Sequence, residues 1–281
     1  MAAVEIGVFV IPDAAGRDAA IEQVTLADRL GLDLVGIQDH PYQRRFLETI
    51  TLLSFLAART TRVRLFPDVA NLPLRDPAVL AKAAATIDLL SGGRFELGLG
   101  AGAFWEAIGA MGGPVRAPGE SVEALEESIA VIRAMWSGER TVSVSGTHYS
   151  LSGLHPGPEP AHPIGIWLGA YGPRMVRLTG RAADGWIPSL PRLPLDEVAP
   201  RQEAIDEAAR RAGRDPAAVR RLANVSPGEG FLDGGVDEVV SQLLTLHRDL
   251  RFDAFVFSLG DDPVGEITRL AEEVAPAVRA A

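Results

Sequence analysis

Repeated strand-then-helix units predict an α/β fold of the (β/α)8 TIM-barrel type, with a doubly wound open sheet as the alternative. Three observations carry this. The strands are short, continuous apolar runs, the pattern of parallel strands buried on both faces. A helical period follows nearly every one. Eight such pairs fit in 281 residues, close to the roughly 250 usual for this barrel. No internal repeat or linker divides the chain, so residues 1–281 read as a single domain.

In order, residues 4–11 form an apolar strand ending at Pro12-Asp13, and 18–30 a helix closed by Gly31. Residues 32–38 form the second strand, followed by Asp39-His40-Pro41. Residues 47–59 form a helix with Leu52, Leu53, Phe55 and Leu56 as its apolar contacts, and 63–69 the third strand. Asp76 caps the next helix, Pro77 suits its first turn, and Ser91-Gly92-Gly93 ends it. Within it Val79, Ala83, Ile87 and Leu90 recur at helical spacing as a buried stripe. The fourth strand covers 94–99. Residues 104–119 read as an irregular insertion after it, and 121–136 as a helix with Leu125, Ile129, Ile132 and Met135 on one face. Residues 142–151 alternate as an extra hairpin before strand five, turning at Gly146-Thr147. A Pro- and Gly-rich loop covers 154–163. Strands at 164–169, 185–188, 221–226 and 254–259 alternate with helices at 173–181, 195–212, 236–250 and 263–278.

The formal net charge of −10 disfavours a nucleic-acid partner. With no cysteine there is no disulfide, thiol nucleophile or thiolate-bound metal. No His/Asp/Glu spacing suggests a metal site; His148, His155 and His162 read as surface residues. No apolar run approaches the roughly 20 residues of a membrane span, and the first residues show no secretory signal. The expectation is a cytoplasmic protein with a small-molecule substrate.

In a (β/α)8 barrel the chemistry sits at the C-terminal strand ends. Asp39-His40 follows the second strand; an imidazole there can exchange protons near neutral pH, or the pair can simply cap and pack a turn. Gly98, Gly100 and Gly102 strip side chains from the end of the fourth strand, where a flat or phosphorylated group can approach. Gly169-Ala170-Tyr171-Gly172-Pro173-Arg174 follows the fifth strand and opens a helix, whose free amides and dipole favour a phosphate. Phe104, Trp105 and Glu106 open the insertion and are candidates to line a substrate pocket. Arg94 and Glu96 read as paired structural charges rather than catalytic groups. The run 98–102 lacks the G-x-G-x-x-G order of a dinucleotide turn, and no G-x-S-x-G elbow occurs.

The segment 73–102, with its loop, capped helix, glycine turn, strand and glycine-lined strand end, resembles the bacterial luciferase-like flavin oxidoreductases, in particular their coenzyme F420-dependent branch. The resemblance runs from Ile6 to about Asn224. It implies that Asp39 and His40 lie beside the reactive ring, His40 orienting substrate or transferring a proton. It implies a bulge at Asp68, Val69, Ala70 and Asn71, with a non-prolyl cis peptide backing the deazaflavin, although the Thr and Gly common in that bulge are missing. Gly169 to Arg174 resembles the family's phosphate turn, and Ala183-Asp184-Gly185 its helix-to-strand turn at the opposite barrel end. The implied activity is hydride transfer between F420 and a small organic substrate, in a homodimer. An FMN-dependent monooxygenase fed by a separate reductase, and a flavin-binding barrel without turnover, remain the alternatives.

Overall fold

The computed structural model describes residues 4–228 and 230–281. Its strands are β1 (Glu5–Val10), β2 (Leu34–Ile37), β3 (Arg64–Pro67), β4 (Ala70–Asn71), β5 (Leu97–Gly100), β6 (Val142–Val144), β7 (Leu151–Leu154), β8 (Ile166–Leu168), β9 (Gly185–Trp186), β10 (Arg220–Val225) and β11 (Ala254–Ser258). The helices are α1 (Arg17–Leu30), α2 (Thr49–Ala57), α3 (Pro77–Ser91), α4 (Trp105–Ala110), α5 (Pro118–Met135), α6 (Pro173–Ala182), α7 (Val198–Arg211), α8 (Val236–Leu250), α9 (Pro263–Arg269) and α10 (Ala275–Ala280).

Nine strands form one parallel sheet in the order β3-β2-β1-β11-β10-β9-β8-β5-β4. β3 and β4 are two halves of one barrel strand: β3 pairs with β2 and β4 with β5. The Leu65 amide donates to the Arg94 carbonyl, and the Glu96 amide to the Leu65 carbonyl, which closes the ring. The expected (β/α)8 architecture is therefore present. The expected third strand is broken after Pro67, and the Asp68–Val69 peptide at the break is cis and non-prolyl.

The barrel interior is filled by Leu34, Phe66, Trp167, Ile187, Leu222, Ala254 and Val256, with the Phe66 and Trp167 rings 5.1 Å apart. At the N-terminal barrel end charges are matched. Glu5 pairs with Arg64 and Arg220, and Glu96 with Arg64. Arg94 instead donates to the carbonyls of Ala57, Thr60 and Val63, so it pins α2 to β3 rather than pairing with Glu96. Asp184 accepts from the Ile166 amide and pairs with Arg133, a structural role as expected.

Several local expectations change. α3 turns Leu80, Ala81, Ala84, Ala85, Ile87 and Asp88 inward, while Val79 and Leu90 are 66% and 80% exposed. Alanines lie all around this helix, so spacing alone did not select the packed stripe. Phe55 on α2 is likewise exposed. The 104–119 insertion contains α4, nucleated after Phe104 in a left-handed conformation (φ 58°). The hairpin is β6–β7, its loop amides at Thr147, His148 and Tyr149 held by the Glu127 carboxylate. His162 is not a surface residue: its Nδ1 lies 2.8 Å from fully buried Asp88. No described helix is long and apolar enough to cross a membrane.

Candidate active site

A cavity of about 740 Å³ opens over the C-terminal strand ends. Asp39, His40, Asp68, Val69, Ala70, Asn71, Gly100, Gly102, Phe104, Gly169, Gly172, Pro173 and Arg174 all line it. Three expected site residues fall outside its lining. Ala170 is fully buried, and its carbonyl accepts from Trp186 Nε1 at 2.8 Å. Trp105 turns its indole against Gly102, and Glu106 is exposed.

Asp39 ends β2 and is 2% exposed. Its Oδ1 accepts from Arg75 Nη2 at 2.8 Å, and its Oδ2 from Arg75 Nε at 3.0 Å and the Asn71 amide at 2.8 Å. Both oxygens are thus committed to protein groups. A fork-to-fork Arg–carboxylate pair of this kind is directional as well as strong. Arg75 reaches on to Glu48 at 2.5 Å, and Glu48 caps α2 by accepting from the Thr51 amide at 2.7 Å. Burial pulls the Arg75 guanidinium down, but Asp39 and Glu48 outweigh it and hold the charge. The chain Asp39–Arg75–Glu48 therefore fixes the His40 loop against α2 and β4.

His40 is half-buried. Its Nδ1 lies 2.7 Å from the Tyr42 hydroxyl, and its ring meets Phe104 edge-on, centroids 5.6 Å apart. Burial lowers its pKa; Asp39 opposes the shift and Arg192 adds to it. The imidazole is consequently neutral at physiological pH. Burial, with Asp39, pushes the Tyr42 phenol up to about 12, so it remains an O–H. Tyr42 faces Nδ1, which leaves Nε2 as the nitrogen available for proton exchange.

The floor is the break between β3 and β4. Asp68 is buried, and Asn224 Nδ2 donates to its Oδ1 at 3.0 Å. Burial pushes the Asp68 carboxyl up to about 7, against the Asn224 hydrogen bond. Val69 fills the space that missing side chains leave: a Cβ on Gly100 would lie 2.8 Å from Val69 Cγ2, and one on Gly169 would lie 3.3 Å from it. A Cβ on Gly102 would lie 2.6 Å from Pro73 and 2.8 Å from Trp105. Gly100 and Gly102, expected to open room for a ligand, both line the cavity. They let the Val69 bulge and the α4 indole pack, and the bulge presents the surface. Gly172, in contrast, faces open space. It starts α6, whose first turn no side chain caps. Arg174 lies over Gly119 and donates to Glu123 at 3.1 Å.

Residues 4–227 match the family model described as luciferase-like monooxygenase. The chain belongs to the luciferase-like monooxygenase family. It is 33% identical over 221 residues to an F420-dependent glucose-6-phosphate dehydrogenase from Intrasporangium calvum, covering 75% of this chain and 65% of that protein. It is 36% identical over 241 residues to a phthiodiolone/phenolphthiodiolone dimycocerosates ketoreductase from a Mycobacterium species, covering 82% and 61%. The chain thus spans under two thirds of the length of both relatives. Among solved structures, an F420-dependent secondary alcohol dehydrogenase in complex with an F420–acetone adduct superposes with a TM-score of 0.86 at 17% identity, covering 99% of each chain. At that identity the likeness establishes the luciferase-like barrel.

The residues that sequence reasoning missed are Arg75, Tyr42, Arg192 and Asn224. Tyr42 was within reach, two positions after His40 on the same loop. Arg75 sits in the loop after β4 and gains its meaning only from Asp39, 36 residues earlier.

Proposed function

We propose that this protein is an oxidoreductase that moves a hydride between coenzyme F420 and a carbonyl–alcohol substrate pair. The carrying observation is His40, with Nδ1 on the Tyr42 hydroxyl and Nε2 left over, on the rim of a cavity floored by the Val69 bulge. The F420-dependent dehydrogenase from Intrasporangium calvum supports the choice of coenzyme, and the ketoreductase supports a carbonyl substrate.

The residues present fit such a group. Asn71 Oδ1 is buried beside the cavity without a partner among the described residues, an acceptor that suits a ring N–H. The open α6 N-terminus at Gly172 suits a phosphate. Bound there, F420 supplies two-electron hydride chemistry. The protein does the rest. The Val69 bulge supports a flat ring, and Phe104 shields the His40 side. Asp39, through Arg75 and the Asn71 amide, keeps strand ends β2 and β4 in register as a positioning residue. His40 Nε2 takes the proton from a substrate hydroxyl on oxidation and returns it to the carbonyl oxygen on reduction. The Tyr42 hydroxyl can face Nδ1 as acceptor or donor, so it serves either tautomer.

The test follows F420 absorbance with secondary alcohols and with ketones. His40→Ala is expected to lower turnover about a hundred- to ten-thousandfold with coenzyme affinity retained. Unchanged turnover in His40→Ala contradicts the role assigned to it.

The exposed apolar residues Phe55 on α2 and Val79, Leu89 and Leu90 on α3 support a homodimer formed through these helices. Sedimentation should show a dimer that Val79→Glu with Leu90→Glu converts to monomer.

A further inference from the structure

The mechanism leaves one buried carboxyl without a task. Asp68 ends β3 inside the barrel, above Phe66. Its Oδ2 lies against Gly36 of β2, where a Cβ would come within 2.9 Å of it. Oδ1 accepts from Asn224 Nδ2, but among the described residues Oδ2 has no hydrogen-bond partner, and neither has Asn224 Oδ1. Two buried acceptors left unpaired are costly. Among the described residues no cation counters Asp68. Its surroundings explain this. β2 offers Gly36, then Gln38 and Asp39, whose charge Arg75 already matches. β1 offers Phe9 and β11 Ser258. Tyr171, after β8, has its phenol raised by burial and also by Asp68, while its hydroxyl accepts from the Ser189 amide. Arg192, after β9, acts on His40 and Tyr171.

The two orphaned oxygens belong to the two side chains that already share one hydrogen bond. A carboxylic acid and a carboxamide are complementary, each with one donor and one acceptor at matching spacing. One proton on Asp68 Oδ2, offered to Asn224 Oδ1, satisfies both.

We propose that Asp68 and Asn224 form a neutral acid–amide pair beneath the cavity, and that its proton governs how the site holds a ligand ring that carries negative charge. While the proton is present, the floor is uncharged and accepts an anionic ring. Once it leaves, a carboxylate stands under the ring and repels it at short range in a low-dielectric setting. Burial places this titration near neutral pH. Asp68 is thus a positioning residue that reads the charge of the ligand. The pair itself follows from the protein alone; its effect on a reduced flavin-type ring, an anion near neutral pH, rests on the function proposed above.

Infrared difference spectroscopy of the whole protein, without ligand, tests the pair. A protonated-carboxyl band should titrate with a midpoint near pH 7, vanish in Asp68→Asn, and shift in frequency but persist in Asn224→Ala. No such band above pH 5.5 overturns the pair. Fluorescence titration with chemically reduced F420 tests the consequence. The wild-type dissociation constant should rise about tenfold per pH unit above the midpoint, and that of Asp68→Asn should stay flat. A flat wild-type profile overturns the charge-reading role. If reduced F420 fails to bind at any pH, the coenzyme assignment falls with that role, while the infrared result still decides the pair.

Discussion

Asp39 and Asp68 end neighbouring barrel strands, are both buried, and line the same cavity, yet their environments are opposite. Asp39 has an arginine fork on one side and a backbone amide on the other. Asp68 has a single carboxamide, and burial raises its pKa to about 7. Two carboxyls lining one cavity thus differ because one has a cation and the other, among the described residues, has none. The first holds the loop that carries His40. The second keeps the floor neutral.

The most severe way to break this contrast is to remove the cation. Arg75→Met leaves the buried Asp39 carboxyl without its cation, so denaturant unfolding at pH 7 should show a loss of about 3–5 kcal/mol. Adding Asp39→Asn to that variant should recover much of the loss. If Arg75→Met alone unfolds like the wild type, the Asp39 pair is not what holds this edge.

Neutralising the other carboxyl should act with opposite sign. The folded-state pKa of Asp68 lies above its ordinary 3.8, so folding takes up a proton between the two values. The cost of ionising it is absent below about pH 4, grows as pH rises, and is complete above about pH 7. Asp68→Asn should therefore stabilise the protein by roughly 2–4 kcal/mol at pH 8 and by nothing at pH 4. An equal effect at both pH values would contradict the assignment.

Gly100→Ala probes the backbone between the two. The new Cβ meets Val69 Cγ2 at 2.8 Å and should cost about 1–3 kcal/mol by overpacking. Thermal melts and coenzyme affinity should both fall, since the bulge has to shift. Tyr42→Phe is the mildest change. Losing the hydroxyl opposite His40 Nδ1 should cost about 1 kcal/mol, read as a several-fold fall in turnover with little change in melting temperature.

The order of strands and helices was legible because each unit carries its own period and its own stop, such as the Asp76 cap and the Gly92 end of α3. The inward face of α3 was not, because Asp88 faces inward to accept from the Phe95 and His162 amides. A charged residue at a buried position hides the stripe. In the site, Asp39-His40 stood out because residue type and strand end coincide. The Asp68–Asn224 pair joins positions 156 residues apart and exists only once the barrel closes. Gly100, which ends β5, and Gly169, which follows β8, marked the right place for a different reason. Their missing side chains receive Val69.

The most direct measurement is a parallel fluorescence titration of the purified protein with F420 and with FMN. Tight binding of F420 with weak or no binding of FMN is the predicted result, and Arg174→Ala should weaken it modestly because Arg174 is already shared with Glu123. Tight binding of FMN alone would contradict the assignment and point to an oxygenase supplied by a partner reductase. Binding of neither would remove the phosphate role of the α6 N-terminus and the coenzyme with it.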